Sequence, residues 1–242
     1  MSIQYLKKIL ESSNNIVCLL GKAPAAEQGC DLYKEEFSFD IEEKYGRSPS
    51  EILSTTFYHN RPMAFYRFYR EDILGRRGEP DECNFALKRM EDDGRLRGII
   101  TRGFFDLSRR AGCRDVIQLY GNVDRNFCPH CRKLFPGDYI LSHTPLPMCD
   151  NCGTLIHPGI VLSGEMLDSQ RMTRAIERIS SASVLLVMGC SMQSTLGSMA
   201  KYFNGDKICL VNRVSNYSDQ AADCVCIGDI EKIMREAYPP HG

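Results

Sequence analysis

Along this chain, short and largely apolar runs alternate with stretches whose apolar positions recur every three or four residues. The apolar runs are Ile16–Leu20, Ile99-Ile100, Val116–Tyr120, Ser183–Met188, Ile208–Val211 and Cys224–Ile227. Most stop at a glycine or asparagine: Gly21, Gly121, Gly189, Asn212 and Gly228. Runs this short, bounded by turn residues, predict strands buried on both faces of a parallel sheet. Between them, helical spacing predicts Ser2–Ser12, Pro49–Leu53, Arg61–Leu74, Pro80–Asp93, Phe104–Ala111, Ser169–Ser181, Leu196–Phe203 and Ile230–Tyr238. Phe65, Tyr66, Phe68 and Tyr69 give the third of these an aromatic density that reads as a helix packed into a core. The alternation predicts an α/β fold, a doubly wound parallel (Rossmann-like) sheet. In such folds ligands bind outside the carboxyl ends of the strands, where this chain places its permissive residues.

One stretch breaks the alternation. Cys128-Pro-His-Cys131 is followed, seventeen residues on, by Cys149-Asp-Asn-Cys152. Two C-x-x-C pairs at this separation match the spacing of a four-thiolate zinc site. Each pair turns two sulfurs toward one point, and the loop-like segment between them, poor in apolar residues, folds back so that the pairs meet. Four thiolates leave no open position, so the zinc they imply is structural. A redox-active C-x-x-C explains one pair but not both. His130, inside the first pair, is expected at the surface. The chain then divides into 1–125, the first part of the sheet domain with a helical insert at about 30–98, a zinc module at 126–157, and 158–242, the second part.

Composition narrows the setting. The formal net charge is −1 over 242 residues, with 25% charged, which gives no basic footprint for nucleic acid. No apolar run reaches the ~18 residues of a membrane span, and Met1–Glu11 reads as an amphipathic helix instead of a signal peptide. Of twelve cysteines, four have zinc spacing, while Cys18, Cys190, Cys209, Cys224 and Cys226 lie in or beside the apolar runs. Thiols placed that way are small core residues, and a reducing cytoplasm is the expected location.

A series of short motifs runs in order along the chain: Ile16–Gly21, Thr101, Ala111-Gly112, Leu119 with Gly121, and Arg125-Asn126-Phe127-Cys128. Pro158-Gly-Ile-Val161, Gly164-Glu165-Met166-Leu167, Gly189-Cys-Ser191-Met-Gln193 and Val211-Asn212 complete it. In this order, from about Ile16 to Met234, the chain resembles the sirtuin family of NAD-dependent protein deacylases. The resemblance implies NAD as cofactor and an acylated peptide as partner. It places Gly21, Glu27 and Gly29 in the cofactor loop, and Gly189, Ser191 and Asn212 against the adenosine ribose and phosphates.

Four departures from the family pattern lie at its active site. The loop of form GAGxSxxSGIPDFR reads here Gly21-Lys-Ala-Pro-Ala-Ala-Glu-Gln-Gly-Cys-Asp-Leu-Tyr-Lys34, with Lys22 in place of a small residue and Lys34 in place of the arginine. TQNID, which shapes the nicotinamide pocket, reads Thr101-Arg102-Gly103-Phe104-Phe105. ELHGS, which carries the catalytic histidine, reads Gln118-Leu119-Tyr120-Gly121-Asn122, putting Tyr120 at the catalytic position. A phenol, with a reference pKa near ~10, is a poor general base at neutral pH. Ser163 stands where an aromatic residue usually precedes Gly-Glu. These changes favour a sirtuin fold that works by binding, a pseudoenzyme taking a nucleotide, an anionic small molecule or a protein partner. Lys22, Lys34 and Arg102 add cations around the crevice, and Lys22 with Phe104 and Phe105 would occupy the nicotinamide side. The alternative is an active divergent sirtuin, a deacylase or ADP-ribosyltransferase.

Overall fold

A computed structural model describes residues 3–21 and 35–240. Six strands form one parallel sheet in the order β3-β2-β1-β6-β7-β8. They are β1 (Ile16–Leu20), β2 (Leu96–Thr101), β3 (Val116–Gln118), β6 (Val184–Met188), β7 (Lys207–Asn212) and β8 (Cys224–Ile227); β4 (Asn126–Phe127) and β5 (Leu134–Phe135) pair separately, antiparallel. Chain order and spatial order part company between β1 and β6, so the switch point of the winding lies there.

Every residue of β1 is buried, as its unbroken apolar run predicts. Ile16, Cys18 and Leu20 face one side, where they meet α1 (Ile3–Ser12), α6 (Glu82–Asp92) and α10 (Ile230–Ala237). Val17 and Leu19 face the other, against Ala175 and Ile179 of α9 (Ser169–Ser181). Each fully buried aliphatic side chain contributes roughly 1.5–3 kcal/mol, so this central strand anchors both layers. Asp168 fixes the start of α9 by accepting the amides of Gln170 at 2.9 Å and Arg171 at 3.2 Å.

Between β1 and β2 lie α2 (Glu35–Tyr45), α3 (Pro49–Ile52), α4 (Thr55–Asn60) and α5 (Pro62–Phe68). Phe65, Tyr66, Phe68 and Tyr69 are fully buried, in a core of their own beside the sheet. The single helix expected over Arg61–Leu74 is instead α5, a widened turn at Tyr69–Ile73 and a tight turn at Leu74–Arg76. The widening turns Asp72 inward, where Lys44 (3.0 Å), Tyr45 (2.7 Å) and Arg76 (3.1 Å) satisfy it.

Other expectations are corrected in extent. The helix expected from Phe104 is confined to α7 (Leu107–Arg110), because Asp106 is left-handed (φ 59°) and cannot continue a right-handed helix. The turn at Gly197–Tyr202 is a 3-10 helix, and β3 stops at Gln118. The segment between the cysteine pairs is not the loop poor in core material that its sequence suggests. It holds β5 and α8 (Gly137–Ser142) and sends Phe135 and Ile140 into the aromatic core. Tyr58 and Tyr66 both donate to the Ile156 carbonyl, and Arg70 donates to the carbonyls of Ile140 (2.7 Å), His143 and Pro145. The helical segment and the cysteine module therefore share one core.

Candidate functional site

The carboxyl ends of the strands converge at the switch point. Gly21, one residue past β1, is buried and donates its N–H to the Met188 carbonyl at 2.8 Å. A Cβ on it would lie 2.5 Å from the Gly189 oxygen and 2.6 Å from Cys190 Cβ. Only a residue without a side chain fits that approach. Gly189 in turn donates to Val211 at 2.9 Å, so Gly21, Gly189 and the end of β7 form a floor of backbone. Ser191 is half-buried, and its carbonyl accepts Ser194 Oγ at 2.8 Å. Asn212 closes β7 and accepts the Arg213 amide on Oδ1 at 2.9 Å. Lys22, Glu27, Gly29 and Lys34 lie outside the described residues.

Past β2, the Thr101 hydroxyl accepts the Gly103 amide at 2.9 Å. Gln118 Nε2 donates to the Gly103 carbonyl at 3.3 Å, and Asn122 Nδ2 to Gln118 Oε1 at 3.0 Å. This relay braces the ends of β2 and β3 against each other. The Arg102 guanidinium lies 5.0 Å above the Tyr120 ring, in cation–π range. Tyr120 is half-buried, and its own carbonyl accepts the Val161 amide at 2.9 Å. The rings of Phe104 and Phe105 meet tilted, centroids 4.6 Å apart; Phe105 is only 2% exposed and belongs to the aromatic core, with Phe104 packed against that core.

Two groups here escape a reading by motif. Cys190 sits beside Gly21; burial pushes its thiol up to about 11, against the opposing pulls of Ser194 and Arg102. Asp106 follows the two phenylalanines. Burial raises its carboxyl, while Asn122 and Arg109 act in the opposite sense. Arg109 Nε stands 3.5 Å from Asp106 Oδ1, a charge contact, and that oxygen makes no hydrogen bond. A charged residue directly after two aromatic ones was the available signal for Asp106; Cys190 lies inside the Gly189-Cys-Ser191-Met-Gln193 run but reads there only as a small core thiol.

The four cysteines do converge. The Sγ atoms of Cys128, Cys131, Cys149 and Cys152 all lie within 4.8 Å of one another, with Cys128 to Cys152 at 3.4 Å and Cys131 to Cys149 at 3.5 Å. A tetrahedral zinc with Zn–S near ~2.3 Å asks for S···S separations of about 3.8 Å, so the donor set fits. Both knuckles are built alike. Arg132 donates to the Cys128 carbonyl at 3.0 Å and Gly153 to that of Cys149 at 2.8 Å, each in a left-handed conformation (φ 64° and 70°). His130 is exposed.

From this module the chain returns to the crevice through His157. Its Nδ1 meets the Pro158 carbonyl at 2.8 Å and its Nε2 meets Glu165 Oε1 at 2.8 Å. Glu165 Oε2 accepts the Leu162 amide at 2.7 Å. Burial alone would raise the Glu165 carboxyl, but these two hydrogen bonds outweigh it and hold the carboxyl below its ordinary range. Gly164 and exposed Met166 flank it.

Sheet order, switch-point crevice and four-thiolate module together define a Rossmann-type α/β protein with a metal-binding insert. A family profile described as the Sir2 family matches residues 33–195. The chain belongs to that family. It is 32% identical over 235 residues to a protein of Clostridium acetobutylicum named an NAD-dependent protein deacetylase, covering 96% of each chain. A Clostridium tetani protein of the same name is also 32% identical, over 95% of this chain and 94% of its own. Among solved structures, a sirtuin from work on substrate affinity superposes with a TM-score of 0.86 at 27% identity, covering all of both chains. A Sir2 histidine-to-tyrosine variant with a p53 peptide and NAD superposes at 0.78, also 27% identical, over 98% of this chain and 97% of the other.

Proposed function

We propose that this protein is a Sir2-family nucleotide-binding protein without the general base of deacetylation, ordered by a structural zinc at Cys128, Cys131, Cys149 and Cys152 and working in a reducing cytoplasm. The observation that carries this reading is Tyr120 held under the Arg102 guanidinium at the end of β3. A phenol is a poor general base at neutral pH, so this position lacks the imidazole that the family's catalytic motif carries. The Gly21–Gly189 contact supports nucleotide binding, since a backbone floor at the switch point lets a pyrophosphate approach closely. Gly189, Ser191 and Asn212 are its adenosine side, and ADP-ribose is the expected ligand class. The zinc, when bound, supplies cross-linking of the two knuckles and no chemistry.

Titration calorimetry with ADP-ribose and NAD, beside a deacetylation assay on acetyl-lysine peptides, tests the reading. ADP-ribose should bind at least as tightly as NAD, and deacetylation should not exceed a buffer control. NAD-dependent deacetylation well above that control would overturn it.

A second reading has its own support. The clostridial relatives, alike over nearly the whole chain, are named deacetylases, and the Sir2 histidine-to-tyrosine variant was solved with both peptide and NAD. Under this reading the protein is an active, divergent NAD-dependent deacylase or ADP-ribosyltransferase that takes acylated peptides. The same assay separates the two.

A further inference from the structure

A cleft of about 440 Å³ lies on the sheet face opposite α9, where α1 and α10 meet the edge strand β8. The volume is that of a small-ligand pocket. Ile3, Cys226, Ile227 and Ile233 give it apolar walls, and Lys7 and Glu236 face it from the two helices. None of these residues belongs to the nucleotide crevice or to the cysteine module.

The floor carries no charge. Cys226 is 4% exposed and leads inward to Cys224, which lies in register with Cys209 of β7. A hydrogen bond with Cys224, and then burial, push the Cys226 thiol well up, so it stays protonated. Ile227 is 42% exposed, an apolar side chain left to water within a concave site.

The rim is charged with both signs. Lys7 has one carboxylate partner, Glu11 on its own helix, and at 3.8 Å that exposed contact contributes little. Glu236 makes no ion pair among the described residues. Charges on helix surfaces are mostly just solvated, but here one of each sign flanks the same apolar floor from different helices. An anionic amphiphile would meet Glu236, and a cationic one Lys7. A ligand carrying both charges beside an aliphatic group finds a complement to each part.

We propose that this cleft binds a small aliphatic zwitterion of the amino-acid class, with its carboxylate on Lys7, its ammonium on Glu236 and its branched side chain against Ile227, Ile233 and Cys226. The site is separate from the nucleotide crevice, and its occupation does not rest on the nucleotide reading. The two are nonetheless adjacent in the chain, since Gly228, next after Ile227, donates to the Asn212 carbonyl at 2.9 Å.

Titrating leucine into the nitrogen-15-labelled full chain tests the assignment, with isocaproate (leucine without its amine) and isoamylamine (leucine without its carboxylate) beside it. Leucine should shift the amides of Lys7, Ile227 and Glu236 and bind at least about fivefold more tightly than either analogue. Glu236→Gln should bring leucine and isocaproate to within about twofold of each other, and Lys7→Ala should do the same for leucine and isoamylamine. Neither side chain is buried, and an unchanged melting curve confirms that the variants fold. Leucine binding no tighter than its analogues, discrimination unaltered in both variants, or no shifts at about 20 mM leucine would overturn the proposal. Isocaproate binding more tightly than leucine would assign the cleft to an acyl anion instead. Shifts at the same amides on diluting the protein alone would assign it to a second copy of the chain.

Discussion

Gly21 and Tyr120 carry opposite messages about the same crevice. The space at Gly21 admits no methyl group: its nearest neighbours are the Gly189 backbone and Cys190 Cβ, and neither is the far end of a flexible chain. Gly21→Ala must therefore push β1 and β6 apart. Overpacking of this kind costs about 1–3 kcal/mol, so a lowered melting temperature and weakened ADP-ribose binding are expected together. A thermal melt unchanged within error would show that the strand ends are looser than described. At Tyr120 the change is chemical. Tyr120→His installs an imidazole but leaves the Arg102 guanidinium beside it, and on the proposed reading the substrate-positioning side chains are still missing. A positioned base alone contributes ~10²–10⁴-fold, and without substrate positioning that factor is not realised. Deacetylation by Tyr120→His should stay at the wild-type level, and a hundredfold rise in an NAD-dependent assay would contradict this.

Among the elements, the cysteine module depends most on something outside the polypeptide. Four thiolates within 4.8 Å of one another repel when unneutralised, and Cys152 is exposed. Phe135, Ile140 and Ile156 dock the module onto the aromatic core, so stripping the metal should loosen the knuckles first and weaken that shared core second. Protein purified without chelator should hold one zinc per chain. A strong chelator should lower the melting temperature and expose the thiols to Ellman's reagent, and a metal-free protein with an unaltered melt would refute the site. This centre was legible in the sequence because spacing alone encodes it. So were β1, β8 and α9, whose patterns fixed their limits to the residue. The left-handed Asp106 was not legible, because the conformation is imposed by burying Phe105 and Leu107 on either side of it. The helical pattern over 61–74 was read correctly as a packed aromatic stretch. The turn that widens it answers to Lys44 and Tyr45, which no local pattern reveals.

At the scale of the whole molecule, His157 and Glu165 link the cysteine module to the segment that leads back to the sheet. Glu165 is held below its ordinary range against the effect of burial, so the unfolded carboxyl takes up its proton first as pH falls. The stability this pair contributes is present above the ordinary carboxylate pKa of ~4.3 and is lost as pH drops through the lower folded value. Glu165→Gln should be less stable than wild type at pH 7 and converge with it in acid, as measured by urea unfolding across that window; parallel curves would show that the pair contributes nothing. The strand order has a consequence for how the chain is born. β1 lies between β2 and β6, yet β6 is made more than 160 residues after it. During translation the central strand has one neighbour or none until residue 188 has left the ribosome, and its β6-side edge must wait unpaired or be shielded by a chaperone. Nascent chains arrested with their last exposed residue near 180 should be cut readily by protease within 3–21. Those arrested after β7 has emerged should resist.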